Sequence, residues 1–233
     1  MHRTKNVSEL PQPNEIKRKD QIWIWLTDES PHSTFLYKNS LTQFSNIFNW
    51  SMSYRSDSDI PVPYGRVKDR IEKTNLSQIT SHKSKLAAIL ISNSGGSSRR
   101  RNYLNKLSEF MPIDIWGGLS NSKEFKCSGH YKQDCKDLDK YKFYLSFENA
   151  ACSEYITEKV WWNAYHKKSV PILLGGKSRL DYETLLPPNS FIHIDDFKTV
   201  KELAEFVQFL GNNDEYYKRF HLWRNHYQIL NEH

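Results

Sequence analysis

The sequence has no apolar run long enough to cross a membrane and no recognisable secretion signal. Its 233 residues contain no stretch near the roughly 20 apolar residues that a spanning helix needs, which excludes such a helix within them. The opening segment, MHRTKNVSELPQPNEIKRKD, has no hydrophobic core, so it is interpreted as a polar lead-in or a truncated start. Apolar residues make up 38% of the chain, a proportion typical of a globular domain with a polar surface.

Long clusters of basic residues are also missing. The net charge is +6, which suits an anionic partner. The densest basic cluster, Arg99-Arg100-Arg101, has only three members, whereas a nucleic-acid groove carries a longer stripe of positive charge. We therefore expect a small anionic ligand and no nucleic acid.

Cysteine is scarce, and its spacing does not fit a zinc site. Cys127 and Cys135, in the segment CSGHYKQDC, lie too far apart for a paired metal-ligand motif, and Cys152 stands alone. A loop disulfide between Cys127 and Cys135 would form in an oxidising compartment. Three free thiols are the alternative, and the sequence leaves both open.

Three Asn-x-Ser sequons, at Asn6, Asn49 and Asn75, become glycosylation sites only if the chain enters the secretory route. Such short matches also arise by chance. We single out Asn49, because it lies between a predicted helix and a predicted strand.

From residue 83 onward, strand patterns alternate with helix patterns. Continuous apolar runs predict five buried parallel strands: KLAAILIS (85–92), IDIWGG (113–118), YKFYLSF (141–147), SVPILLGG (169–176) and SFIHID (190–195). Apolar residues at helical spacing predict three helices: RRRNYLNKLSEF, the segment 153–168 and KELAEFVQFL. This alternation predicts an α/β, doubly wound, Rossmann-like domain over residues 83–233.

The pattern before residue 83 is poorer. QIWIWL (21–26) and WSMSYRSD (50–57) are predicted strands, SLTQFSNIF (40–48) is a predicted short helix, and DIPVPYG (59–65) is expected to be irregular. We interpret residues 1–82 as part of an N-terminal α/β domain.

Ligands of an open parallel sheet bind beyond the carboxyl ends of its strands. Glu148 and Asn149 follow one predicted strand, the segment 92–96 follows a second, and Gly175–Gly176 follows a third. A helix that starts near Ser153 would direct its N-terminal amides into the same crevice, which favours an anion.

Two cations would converge on that crevice. Lys159 lies in the predicted helix and Arg100 lies early in a neighbouring one, an arrangement that binds a diphosphate. Alternatively, Glu158 and Lys159 are solvated surface charges. Neighbouring helical residues point about 100° apart, so we expect that these two do not pair with each other. Asn149 could instead cap the helix or close a turn.

The block FENAACSEYITEKVWWNAYHKKSVPILLGG resembles the signature of the α1,3/α1,4-fucosyltransferase family, and the resemblance extends upstream through NWSMSYRSDSDIPVPYG and WIWLTDESP. It implies a GT-B fold, in which two Rossmann-like domains face a cleft. It implies transfer of fucose from GDP-fucose, with inversion, to an N-acetylglucosamine hydroxyl of a glycan, most often in α1,3 linkage and with no metal required. It also implies a place in the Golgi lumen, as a type II membrane protein anchored by a segment absent from this chain.

The resemblance also implies roles for particular residues. The family's donor-binding positions fall on Arg100, Asn149, Tyr155, Glu158 and Lys159. The family's proposed base falls on Glu29, which would otherwise be a helix cap or a solvated loop residue, and Glu158 would stabilise the positive charge of an oxocarbenium-like transition state. Ala150 and Glu154 depart from the family's usual serine and aspartate.

Asp57 and Asp59 form a D-x-D sequence, which binds metal in another glycosyltransferase fold, but we interpret it as a polar surface turn. Two further functions stay open. The chain could be an inactive nucleotide- or glycan-binding remnant, or a GT-B transferase that uses another nucleotide sugar.

Overall fold

The computed structural model describes residues 20–35, 45–72, 74–92, 98–127, 129, 134–176 and 178–231. These residues form two parallel sheets and one antiparallel pair of strands. The predicted α/β class is therefore confirmed. In the described part of the chain, no helix is both long and apolar enough to cross a bilayer.

The smaller sheet lies in the N-terminal part of the chain. Its three parallel strands, in spatial order, are β1 (Ile24–Thr27), β2 (Trp50–Ser53) and β3 (Ile60–Pro61). A short helix, α1 (Pro31–Phe35), follows β1. The strands predicted at 21–26 and 50–57 are confirmed over part of their length. The segment 59–65, expected to be irregular, contributes β3 because Ile60 pairs with Met52. Of the helix predicted at 40–48, residues 40–44 lie outside the described residues and 45–47 form a turn.

Seven more strands and six more α-helices follow along the described chain, together with three 3-10 helices at Lys136–Lys140, Ile194–Asp196 and Leu222–Asn225. The strands are β4 (Gly65–Asp69), β5 (Lys85–Leu90), β6 (Asp114–Trp116), β7 (Tyr141–Phe147), β8 (Val170–Leu174), β9 (Ile192–His193) and β10 (Tyr227–Asn231). The helices are α2 (Leu76–Thr80), α3 (Ser98–Ser108), α4 (Glu158–Val160), α5 (Arg179–Leu185), α6 (Val200–Asn212) and α7 (Asp214–Arg219). α4 continues directly as a π-helical stretch, Trp161–His166.

The larger sheet is parallel and has the spatial order β6-β5-β7-β8-β9. All five strands were predicted from their apolar runs. Both faces of the sheet are buried. Phe143 and Leu145 of β7 belong to the core cluster that contains Leu203 and Val207 of α6, whereas Tyr144 belongs to a second cluster on the opposite face. The doubly wound architecture is therefore confirmed.

The helix predicted over 153–168 begins later than expected. Thr157 is its N-cap, and residues 151–156 form a turn at 153–154 with no helix. Glu154 has a φ of 59°, in the left-handed region, which a right-handed helix cannot accommodate. Lys159 therefore lies in the first turn of the helix.

The last strand, β10, was not predicted. It pairs antiparallel with β4, so that Tyr227 lies opposite Asp69 and Asn231 opposite Gly65. The division into domains at residues 82 and 83 stays a prediction. The pairing shows that the two parts are hydrogen-bonded to each other through the end of the chain.

The two cysteines of the 127–135 loop form a disulfide, with 5.9 Å between their Cα atoms, so the alternative of three free thiols is wrong. Cys152 is a free thiol. Beside the disulfide, the carboxylate of Asp134 accepts hydrogen bonds from Trp162 Nε1 at 3.0 Å and from Lys167 Nζ at 2.5 Å. The disulfide loop is thereby attached to the π-helical stretch that follows α4.

Candidate functional site

The order of the larger sheet marks a ligand crevice. The chain runs outward from β5 to β6 and then returns to β7 on the other side of β5. Connections on either side of such a switch point leave a gap beyond the carboxyl ends of the two central strands. Residue 92 follows β5, and Glu148 and Asn149 follow β7. The segment 93–97, most of which was predicted to line the crevice, lies outside the described residues.

A fully buried carboxylate, Glu148, lies at this switch point. Its side chain has 0% exposure. It accepts hydrogen bonds from the backbone N–H and the hydroxyl of Thr157, both at 2.9 Å. Burial raises the pKa of Glu148, while the nearby charge of Lys159 acts in the opposite direction. The backbone amide of the residue that caps α4 therefore binds a protein carboxylate.

Lys159 forms ion pairs with two carboxylates. Its Nζ lies 3.0 Å from Glu148 Oε2 and 3.1 Å from Glu158 Oε1, and it donates to Thr157 Oγ1 at 2.8 Å. The prediction that Glu158 and Lys159 do not pair is wrong. Both residues belong to the first helical turn, where the lysine side chain bends back toward the buried Glu148 and reaches its neighbour's carboxylate on the way.

The shared ammonium sets the charge state of the cluster. Burial would lower the pKa of Lys159, but Glu148 and Glu158 outweigh burial and raise it. For Glu158, burial alone would raise the pKa. The charge of Lys159 and hydrogen bonds with Lys159 and Thr157 outweigh burial and lower it. Lys159 and Glu158 are therefore both charged at neutral pH.

Arg100 also lies in this region, as predicted. It is 6% exposed, in the first turn of α3. Burial lowers its pKa, and the charge of Glu148 is the largest effect that raises it. The guanidinium and the Lys159 ammonium therefore act on the same buried carboxylate.

Tyr155 lies where these charges meet. It is 3% exposed. Burial raises the pKa of its phenol, the charges of Glu148, Glu29 and Glu158 raise it further, and the charge of Lys159 lowers it. Glu29 comes from the N-terminal part of the chain and the other three from the C-terminal part. Carboxylates from both parts thus act on one hydroxyl.

Asn149 and the glycine pair occupy the same edge of the sheet. The carbonyl oxygen of the Asn149 side chain is buried and has no hydrogen-bond partner among the described residues. Thr157 is the cap of α4, so Asn149 does not have the alternative role of helix cap. Gly175 has a φ of 137°, and a Cβ there would approach Glu148 Cβ to 2.7 Å. A side chain at Gly175 would displace the buried carboxylate.

Glu29 follows β1 in the N-terminal part and is half-buried. Its amide donates to Thr27 Oγ1 at 3.3 Å. The fully buried Ser30 comes next and accepts a hydrogen bond from the amide of Ser33, so Ser30 is the residue that caps α1. The alternative of Glu29 as the helix cap is therefore wrong.

Two contacts between residues 1–82 and the rest of the chain were not predicted. The Glu154 carboxylate accepts hydrogen bonds from the amide and the hydroxyl of Ser56, at 2.6 and 2.7 Å. Gly65 packs so closely on Trp161 that an added Cβ would lie 2.4 Å from the indole.

Thr157 was also missed as a site residue, although a threonine before a Glu-Lys pair is an N-cap signal visible in the sequence.

The remaining predicted residues lie on the surface. Asp57 pairs with Arg55, and Asp59 accepts hydrogen bonds from the amide and hydroxyl of Ser51, which confirms the polar turn. Asn49 is exposed, and its side-chain oxygen accepts a hydrogen bond from the amide of Trp23 at 2.9 Å. Its glycosylation stays a prediction.

The buried ion pair predicts a specific pattern of stability. Lys159→Met leaves Glu148 buried without its cation, which should cost about 3–5 kcal/mol of unfolding free energy. Adding Glu148→Gln removes the buried charge, so the double variant should recover most of that loss. Lys201→Met is the control, because its pair with Glu205 is about two-thirds exposed and is worth roughly 0–1 kcal/mol. Denaturant unfolding of the parental protein, Lys159→Met, Glu148→Gln, the double variant and Lys201→Met measures this. A loss in the double variant equal to the sum of the two single losses would contradict the coupling.

Comparisons with known families and structures show the family of the chain and its fold. The model of glycosyltransferase family 10 (fucosyltransferase), C-terminal, matches residues 80–233, and the model of the fucosyltransferase N-terminal region matches residues 1–65. Among solved structures, an α1,3-fucosyltransferase with GDP-fucose has a TM-score of 0.63 at 19% identity, over 92% of this chain and 71% of that one. This likeness supports the fold alone. A second α1,3-fucosyltransferase structure has a TM-score of 0.51 at 25% identity, over 62% of this chain and 38% of that one.

Two curated relatives illustrate the similarity in sequence. Alpha-(1,3)-fucosyltransferase 7 of Rattus norvegicus is 36% identical over 230 residues, which cover 98% of this chain and 58% of the relative. The 4-galactosyl-N-acetylglucosaminide 3-alpha-L-fucosyltransferase FUT6 of Homo sapiens is 38% identical over 213 residues, which cover 91% of this chain and 56% of the relative. The chain thus spans little more than half the length of these proteins. With family models matching both of its parts, the chain belongs to glycosyltransferase family 10, the fucosyltransferase family.

Proposed function

We propose that this protein transfers fucose from GDP-fucose, with inversion, to an N-acetylglucosamine hydroxyl of a glycan in α1,3 linkage. One observation carries the proposal: the Glu29 segment of the N-terminal part lies beside Tyr155, because the hydroxyl of Tyr64 donates to the Asp28 carbonyl and the ring of Tyr64 contacts Tyr155. Tyr155 in turn leads into the Glu148–Glu158–Lys159 cluster of the C-terminal part. A base on one side and a charged donor site on the other is the arrangement that glycosyl transfer between two bound substrates needs. The names of the relatives support the choice of fucose and of the linkage.

The donor side would be formed by the residues at the switch point. Arg100 and Lys159 neutralise the diphosphate of GDP as it departs, and Glu158 stabilises the positive charge that develops on the sugar. Asn149, with its unpartnered buried oxygen, and Tyr155 complete the donor contacts. In this proposal Arg100 and Lys159 stabilise the departing diphosphate where another transferase would use a metal ion, so the proposed mechanism includes no metal.

The acceptor side would use Glu29 as the base. Its carboxylate takes the proton from the acceptor hydroxyl as that oxygen bonds to the anomeric carbon of fucose. The bond between that carbon and the GDP oxygen breaks on the opposite face, and the electron pair leaves with GDP. Single displacement of this kind inverts the anomeric configuration.

We also propose that the protein resides in the Golgi lumen as a type II membrane protein, anchored by a segment that is not part of this chain. Two observations support a luminal location: the Cys127–Cys135 disulfide, which persists in oxidising compartments, and the exposed sequon at Asn49.

Glu29 and Glu158 should have different effects on the reaction when each is replaced. Glu29→Gln keeps shape but cannot accept a proton, so transfer to acceptor should fall by about 10²–10⁴ while GDP-fucose binding stays intact. Glu158→Gln should slow both transfer and the hydrolysis of GDP-fucose by water, because both reactions develop the same positive charge. Donor affinity, transfer rate and hydrolysis rate are measured for each variant of the full-length protein.

Each outcome of that experiment distinguishes one hypothesis from another. A parental transfer rate in Glu29→Gln would place the base elsewhere, with Asp28 the next residue to test. A parental protein that binds GDP but transfers nothing would support the non-catalytic remnant. Transfer from a different nucleotide sugar in preference to GDP-fucose would support the other transferase.

Arg100→Ala tests the phosphate contact. A charge-assisted contact to phosphate contributes roughly 1.5–3 kcal/mol, so GDP affinity should fall about 10- to 150-fold. Arg101→Ala is the matched control, since Arg101 is the next residue of α3 and is exposed. Calorimetric titration with GDP gives both affinities. Equal affinities in the two variants would remove Arg100 from the phosphate site. Lys159 is less suited to this test, because its replacement would leave Glu148 without its ion-pair partner.

Passage through the secretory route should place a glycan on Asn49. The following Trp50 is bulky and slows modification, so partial occupancy is the expected result. Mass spectrometry of the secreted full-length protein, with Asn49→Gln as control, measures occupancy. Absence of glycan at Asn6, Asn49 and Asn75 together would count against luminal residence.

A further inference from the structure

Three tyrosines join the N-terminal part of the chain to the segment that precedes α4. The ring centroid of Tyr155 lies 5.1 Å from that of Tyr54 and 6.4 Å from that of Tyr64, and the contact with Tyr64 is edge-to-face. All three residues are buried. Aromatic pairs at these distances fix ring positions relative to one another. The position of Tyr64 is thus tied to that of Tyr155.

The hydroxyls of the two N-terminal tyrosines differ. Tyr64 OH donates a hydrogen bond of 2.7 Å to the backbone carbonyl of Asp28. Tyr54 OH is buried and has no hydrogen-bond partner among the described residues. Asp28 directly precedes Glu29, so the Tyr64 hydroxyl holds the peptide unit that leads into Glu29.

The other side of Glu29 is fixed as well. Ser30 is fully buried, and its hydroxyl accepts the Ser33 amide at 3.2 Å and contacts the Ser33 hydroxyl at the same distance. Glu29 is therefore the half-buried residue between two anchored neighbours. The anchor on Asp28 also leads across to the C-terminal part of the chain, because the ring of Tyr64 contacts Tyr155.

Hydrogen bonds also hold the backbone beside Tyr155, in the C-terminal part of the chain. Glu154, the residue before Tyr155, accepts two hydrogen bonds from Ser56, and its own amide donates to Asp181 at 3.1 Å. Its left-handed backbone conformation is held by these contacts. Tyr155 thus has a fixed backbone on one side and a fixed ring on the other.

We propose that Tyr64 is a positioning residue that sets the place of the Glu29 carboxylate relative to the donor site, through its hydroxyl on Asp28 and its ring on Tyr155. The proposal rests on the proposed function, in which Glu29 is the base and Tyr155 a donor contact. Without the hydroxyl, the segment 28–29 loses this link to the C-terminal part. Proton removal from the acceptor then slows, while hydrolysis of the donor by water, which does not use Glu29, continues.

The test compares Tyr64→Phe with Tyr54→Phe in the full-length protein. Both variants keep the ring and its packing, and each removes one hydroxyl. Misplacing a reacting group by about 1 Å costs on the order of 10²-fold in rate, so Tyr64→Phe should lower kcat for transfer by roughly 10- to 100-fold. Its donor KM and its rate of GDP-fucose hydrolysis should stay at parental values. Tyr54→Phe should leave all three quantities unchanged.

A second measurement does not depend on activity. Hydrogen–deuterium exchange of the peptide that spans residues 24–33 should speed up in Tyr64→Phe and not in Tyr54→Phe, because the anchored Asp28 carbonyl is released. Parental exchange and parental kcat in Tyr64→Phe, or equal loss in both variants, would overturn the positioning role. If the parental protein transfers no fucose, the proposed function fails, and the exchange experiment alone decides whether Tyr64 orders the Glu29 segment.

Discussion

The buried carboxylate of Glu148 determines the arrangement of everything around it. A carboxylate with no exposed surface requires hydrogen bonds and a counter-charge, because transfer of an unpaired ion out of water is very costly. Thr157 supplies the hydrogen bonds and Lys159 the charge, and these contacts hold Thr157 in place as the N-cap of α4. The ammonium of Lys159, shared with Glu158, is fixed in place before any ligand arrives. The donor side of the cleft is in this sense assembled by the folding of the C-terminal part.

The elements whose burial is continuous could be predicted from the sequence. β7 is buried on both faces and is one apolar run, and the buried residues of α6 repeat at helical spacing. The start of α4 was misplaced because the left-handed conformation of Glu154 depends on Ser56, nearly one hundred residues away. The pairing of Glu158 with Lys159 was missed for a related reason. Spacing along a helix gives directions of side chains, but the attraction of a buried third charge changes them.

The residues of the site differ in whether local sequence patterns could identify them. Strand ends alone placed Glu148, Asn149 and Gly175 at the sheet edge, whereas Glu29 needed the resemblance to a family, because a loop glutamate has no distinctive pattern. In the structure, Tyr64 connects the two segments, because its hydroxyl donates to the carbonyl of Asp28 and its ring contacts Tyr155. Contacts between distant segments of the chain depend on tertiary packing, which local sequence patterns do not encode.

The pairing of β4 with β10 has a consequence for synthesis of the protein. The ladder joins strand Gly65–Asp69 to the last described residues of the chain. Non-local pairing of this kind waits for the closure of a long loop and forms late in folding. On the ribosome, β4 emerges long before its partner exists, and its edge remains unpaired until all five strands of the C-terminal sheet have been made. A strand edge left open in this way is a site for wrong pairing. The C-terminal sheet, whose neighbouring strands lie closer together along the chain, is thus complete before the N-terminal part acquires its last strand.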